Sequence, residues 1–339
     1  MKQPEGSRLH IRQFHAMGTE VELSLWNPSE QKAGNALRTA ERFFHQTEAR
    51  LSRFRSHSEL SQLNQAGGRP FRASQVLFEL VQSALAWREV TDGIFDPTLL
   101  NALVAWGYDR TFADVLASQS DENGTGATDA SFDLTVSPTG TPLSAADAIQ
   151  LGDRRQITLP AGVGLDLGGI AKGWTIQQAA YRLGMWGPCL VDAGGDVACI
   201  GEPPNGPWLV TVADPLTPER DIAVLSLTNQ SVATSSWVYR RWLHAGKPAH
   251  HLIDPRTGAP ADTNIVSATV VGKCLPDVEI HAKTALILGE KAGLAYLNQL
   301  PGIYAILVTE DDRQLLSDTF EKQAYVSSGN YADRFRTPA

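Results

Sequence analysis

The chain has 339 residues, 42% of them hydrophobic and 19% charged, enough apolar material for one large domain or two ordinary ones. A formal net charge of -8 and a pI near 5.5 argue against nucleic acid as the main partner, yet leave room for an anion in a local pocket. Cys189, Cys199 and Cys274 fit no metal spacing and no disulfide framework, and no run approaches the roughly 18 apolar residues that a transmembrane segment needs.

The start, Met1 to Arg8, is polar, with no apolar signal core and no lipid-attachment cysteine. A cytoplasmic location is the expectation, with a leader removed earlier as the alternative. Alternation from Glu20 to Leu25 predicts a strand over 14–26, with Met17-Gly18-Thr19 near its start. Ser29 is placed to cap a helix from Glu30 to about Leu51, with Leu37, Ala40, Phe43 and Phe44 on its apolar side. A loop through Arg53 and a short helix over Glu59–Asn64 follow. Ser74 opens another helix, in which Leu77, Leu80, Val81 and Leu85 recur at helical spacing. Residues 118–131 are small and polar and predict a flexible insertion.

In the second half, strands are expected at 162–167, 188–192, 196–200, 207–213, 222–228, 264–272, 303–309 and 313–317. Helices are expected at 170–183, 276–288 and 290–300. Strands outnumber helices and many follow one another directly, which favours an α+β fold over a doubly wound sheet.

Several short stretches carry chemistry. His250 to Gly258 packs two imidazoles, a carboxylate, a guanidinium and a hydroxyl around Pro255, either as a rigid ligand-facing loop or as a solvated turn. Asp166-Leu167-Gly168-Gly169 runs into a helix that carries Lys172 in its first turn. Free N–H groups and the positive end of the helix dipole suit an anion there, although a packing turn explains the glycines equally. Gly194-Gly195 lies between Asp192 and Asp196 and reads as a close backbone approach or a bulge. Thr234 and Ser235 offer hydroxyls at a strand end, or ordinary turn chemistry. Asp92 and Asp96 flank Gly93, and Asp96 before Pro97 is a better helix cap than a ligand.

Taken together, these motifs resemble the ApbE family, the FAD:protein FMN transferases, nearly from end to end. The matching pieces are Met17-Gly18-Thr19, Ser58-Glu59-Leu60 with Asn64, Asp92-Gly93 through Thr98 with Trp106-Gly107-Tyr108, and Asp166 through Gly173. They continue with Gly194-Gly195-Asp196, Ala233-Thr234-Ser235, His251 through Gly258 and a helix ending at Gly289. The resemblance implies one bilobal α+β domain over 1–339, with FAD as substrate in the cleft and Mg²⁺ at its pyrophosphate. It implies transfer of FMN to a Thr or Ser hydroxyl of a partner flavoprotein, with AMP released. FAD contacts would come from Met17, Asn64, Asp92, Asp166, Gly168, Gly169, Lys172, Gly194, Gly195, Thr234, Ser235, His251, Arg256, Thr257 and Lys283. His251 would meet the incoming hydroxyl proton, Asp254 would orient His251, and Lys172 would stabilise phosphate charge.

One departure stands out. The family pattern carries Asp-x-x-x-Thr ahead of a Gly, for the metal. Counting back from Gly289 places Glu279 and Lys283 at those positions. Glu279 can ligate a hard cation, together with Gly169, whereas a protonated Lys has only donors. At i, i+4 the two can also form a salt bridge. Either the Lys283 ammonium replaces part of the metal charge, or the metal is lost and FAD is bound without efficient transfer. The usual Thr-Ser-Gly is also altered, with Ser236 in place of the glycine. An FAD pyrophosphatase and a non-catalytic flavin binder are the competing readings.

Overall fold

The computed structural model describes residues 6–120, 145–320 and 324–325. Its centre is an eight-stranded sheet in the order Arg8–Ala16, Thr19–Asn27, Cys189–Ala193, Asp196–Ile200, Ser231–Ser236, Ile265–Gly272, Tyr304–Thr309, Gln314–Leu316. Every neighbouring pair is antiparallel. The described helices are α1 (Glu30–Leu51), α2 (Glu59–Asn64), α3 (Gln75–Val90), α4 (Leu100–Ala105), α5 (Phe112–Ser120), α6 (Ala171–Gly184), α7 (Leu275–Leu288) and α8 (Glu290–Asn298). The fold is α+β, as the direct strand-to-strand spacing predicts. Among the described residues, no helix is long and apolar enough to cross a membrane.

Side-chain alternation sets the layers. In strand Ser231–Ser236, Ala233 points into a core shared with α1, α6, α7 and α8, and Val232 points into a core on the opposite face. That opposite face is covered by a second sheet, which pairs Trp208–Ala213, Asp221–Leu227 and Ala324–Tyr325. Strand Ile265–Gly272 is therefore buried at every position. A separate apolar core gathers α2, α3 and the segment from Ile157 to Ala171, and Ile280 of α7 reaches into it. The caps follow the sequence. The Ser29, Ser58 and Ser74 hydroxyls accept N–H groups from the first turns of α1, α2 and α3.

Three local expectations are corrected. The expected strand over 14–26 belongs to a hairpin of two strands, and Met17 and Gly18, with φ of 55° and 73°, form its two-residue turn. Residues 163–167 join no sheet. The side chain of Asn64 takes the place of a neighbouring strand, bonding Leu165 N at 2.8 Å and Leu165 O at 2.9 Å. Ser118–Ser120 close α5 rather than open an insertion, and the rest of the expected insertion, 121–131, lies outside the described residues.

Candidate active site

A cavity of about 730 Å³ opens where the two helix-backed cores meet. It is lined by Met17, the Arg53–Phe54 loop, Phe95–Asp96, α5, Asp166–Gly169, Lys172, Arg240, His251 and Lys283. Apolar walls with a few convergent charges are the usual make-up of a small-molecule site.

Its floor is the start of α6. Gly168 and Gly169 turn the chain, and Gly169 has no room for a side chain. A Cβ there would come within 2.9 Å of the Phe95 ring and 3.7 Å of Lys283 Cε. Two residues into α6, the backbone N–H of Gly173 donates to Glu279 Oε2 at 3.0 Å. The other oxygen, Oε1, accepts from Lys283 Nζ at 2.9 Å. Glu279 is only 2% exposed, and burial raises its pKa against the pull of Lys283. The i, i+4 salt bridge expected from the sequence is therefore present.

Lys172 forms a second pair. Its ammonium lies 2.5 Å from Asp196 Oδ2. The buried Asp196 also accepts the Thr234 N–H at 3.0 Å, which ties the start of α6 to two strands of the sheet. Gly194 and Gly195, with φ of 65° and 85°, form the two-residue turn between strands Cys189–Ala193 and Asp196–Ile200. They stand outside the cavity lining, as do Thr234, whose hydroxyl meets Thr269 Oγ1 at 2.9 Å, and the buried Ser235.

His251 stands on the cavity wall, and its Nδ1 is buried with no hydrogen-bond partner among the described residues. Burial, then Arg240, His250 and Lys283, hold its pKa well below the usual imidazole value, so the ring is neutral at pH 7. The expectation that Asp254 orients His251 is corrected. The turn at Pro255 folds Arg256 back onto the Asp254 carboxylate, which accepts Arg256 N and Nε at 2.9 Å and Nη2 at 2.7 Å. Arg256 and Thr257 stand outside the lining, and Thr257 Oγ1 accepts the Ala259 N–H.

Asn64 acts as the brace described above rather than as a wall of the cavity. Asp92 is exposed in a left-handed turn, with φ of 50°, and also lies outside the lining. Of these two acids the one that lines it is Asp96, which accepts Thr98 N at 2.7 Å and Thr98 Oγ1 at 2.6 Å. It fixes the turn leading to α4, not the helix itself, whose cap is Leu99.

The residue that sequence reasoning missed is Arg53. Its guanidinium lies 4.2 Å from the Phe54 ring centroid and 4.7 Å from that of Tyr108, and its Nε lies 2.5 Å from Asp166 Oδ2. Nη2 is buried, with no partner among the described residues. A single Arg in a loop carries no local signal, because the contacts that define it come from Tyr108 and Asp166, far along the chain.

Comparison with known proteins places this architecture. The model of the ApbE family matches residues 17–307, and the chain belongs to that family. It is 28% identical over 330 residues to the FAD:protein FMN transferase of Treponema pallidum, covering 91% of this chain and 88% of the other. It is 26% identical over 289 residues to the protein of the same name from Vibrio cholerae, with 83% and 82% covered. The fold matches the crystal structure of the ApbE protein of Thermotoga maritima with a TM-score of 0.78 at 23% identity, covering 94% of this chain and 100% of that one. It matches the Pseudomonas stutzeri flavinyl transferase ApbE with a TM-score of 0.74 at 20% identity, covering 95% and 98%.

Proposed function

We propose that the chain is an FAD:protein FMN transferase, which moves FMN from FAD to a Thr or Ser hydroxyl of a partner flavoprotein. Family membership and the names of the relatives support the class of reaction. The observation that carries the mechanism is His251, a neutral imidazole on the wall of a cleft that also holds the Lys172 and Lys283 ammonium groups.

The acceptor oxygen bonds to the FMN phosphorus. The bond from that phosphorus to the bridging oxygen breaks, and AMP leaves with that oxygen. The acceptor hydroxyl gives its proton to the His251 ring, which is competent because it is already deprotonated. Lys172 and Lys283 offset the phosphate charge, Arg53 holds FAD in the cleft, and the start of α6 adds its dipole. Such transfer depends mainly on positioning and charge rather than on covalent chemistry by the protein.

The resemblance also implies Mg²⁺, with donors at Gly169, Glu279 and position 283. The residues present do not fit that ion. Both Glu279 oxygens are engaged, and Lys283 brings only donors. Among the described residues, no group of three or more His, Cys, Asp or Glu could hold a metal.

The test is incubation with FAD and a flavoprotein acceptor domain, with AMP followed by chromatography and covalent flavin by in-gel fluorescence. An adduct that His251→Ala abolishes supports the transferase. AMP release without an adduct makes water the acceptor and the protein a pyrophosphatase. FAD binding without AMP makes it a flavin binder.

A further inference from the structure

We infer that the Lys283 ammonium stands where a divalent ion would, so that this site holds the FAD pyrophosphate without metal. The inference rests on the FAD reading above and concerns how the substrate is held.

Three observations carry it. The first is reach. Lys283 leaves α7 beside Gly169, whose missing Cβ lets the lysine stem pass within 3.7 Å of the Cβ position, and Lys283 lines the cleft with 17% of its side chain exposed. One donor direction is used on Glu279 Oε1, and among the described residues no other acceptor engages Nζ, which leaves two N–H bonds for phosphate oxygens.

The second is the state of Glu279. Its two oxygens are divided between the Gly173 N–H and Lys283, and the side chain is 3% exposed. A carboxylate so buried needs a cation, and here the chain itself supplies one. An ion ligating Oε1 at its usual distance of about 2 Å would crowd the ammonium that already sits 2.9 Å from that oxygen. Like charges would then face each other across one ligand.

The third is the charge count around the floor. Lys172 pairs with Asp196 and Lys283 with Glu279, so both ammonium groups are fixed to the chain before an anion arrives. Arg53, paired with Asp166, lines the same cleft. Fixed cations therefore meet the pyrophosphate in place of a recruited one.

Calorimetric titration of FAD into the purified full chain, in EDTA and in Mg²⁺, tests this. The expected result for the unmodified protein is the same affinity in both buffers, within about twofold. Lys283→Met should weaken FAD by about tenfold or more in both, and Lys283→Thr should weaken it in EDTA and recover in Mg²⁺. Because either change leaves Glu279 buried without its cation, the double variant Glu279→Gln/Lys283→Met keeps the floor neutral and should show the same metal-independent loss. Unmodified protein that loses about tenfold in affinity in EDTA, or fails to bind in either buffer, overturns the inference. A folded double variant that binds like the unmodified protein also overturns it. Metal-independent FAD binding with no AMP and no adduct would sink the transferase reading and leave this one standing. Adduct formation with FAD binding that requires Mg²⁺ would do the reverse.

Discussion

Gly173 and Glu279 are joined by a 3.0 Å hydrogen bond that crosses from the first turn of α6 to the second turn of α7. The bond satisfies an N–H that the helix itself cannot, and it holds a buried carboxylate in line with Lys283. Glycine is required because a Cβ at position 173 would overlap Glu279 Oε2. Gly173→Ala should therefore displace the carboxylate and lower stability by about 3 kcal/mol, combining overpacking with a disturbed buried ion pair. Urea unfolding of the two proteins measures it, and a loss below about 1 kcal/mol would show that the contact is dispensable.

The closure of Asp254 on Arg256 separates a structural role from a catalytic one. Asp254→Asn should cost about 1–3 kcal/mol of stability, because a buried acceptor of backbone and guanidinium donors is weakened. It should leave the pH profile of kcat/KM unchanged. That profile should keep its activity on the acid side to below about pH 6.5, since the base works deprotonated and the folded His251 pKa lies below the free value. An acid limb that moves in Asp254→Asn would mean that this carboxylate does address His251.

Much of this arrangement is legible in the sequence where the information is local. Helices α1 and α3 announce themselves by apolar spacing behind a capping serine, and Gly168-Gly169 ahead of Lys172 marks the turn into α6. The Glu279–Lys283 pair is legible for the same reason, being one turn apart on one helix. The failures are non-local. Met17 is not a turn residue by type, so the hairpin it closes is hidden until strand Arg8–Ala16 is seen to pair with its neighbour. Residues 163–167 look like a strand, but their partner is the amide of Asn64, 101 positions before Leu165. Arg53 acquires meaning only when Asp166 and Tyr108 close around it. The motif at 254–257 misleads because its polar groups satisfy one another.

His281 gives a pH dependence of known sign. Its ring packs edge-on to Trp87, accepts or donates at 2.6 Å to the Tyr296 hydroxyl, and burial lowers its pKa to about 4. Below about pH 6.5 the unfolded chain takes up a proton that the folded chain refuses, so this contribution to stability falls as pH falls from about 6.5 toward 4. Above that window both states are neutral and the term vanishes. The loss across the window is of the order of 3 kcal/mol. His281→Gln should remove it. The gap between the two unfolding free energies should therefore change by about that amount between pH 7 and pH 4.5, and a constant gap would refute the assignment.

Arg53 separates binding from chemistry. Its guanidinium is fixed on three sides, by Asp166 and by the faces of Phe54 and Tyr108, and its remaining Nη2 has no partner among the described residues. A guanidinium held this rigidly in the wall of the cleft is prepared for an anion or carbonyl that arrives with the substrate. Arg53→Lys keeps the charge but loses the planar fork and the stacking on both rings. It should raise KM for FAD by about tenfold while changing kcat by less than about threefold, because the group binds the ground state and the transition state alike. Arg53→Ala should weaken FAD further and also cost stability, since among the described residues Asp166 then keeps only the Gly168 N–H at 2.6 Å to hold its charge. Steady-state kinetics of both variants with FAD as the varied substrate decides the point. A loss confined to kcat would move Arg53 from holding FAD to stabilising the transferred phosphoryl group.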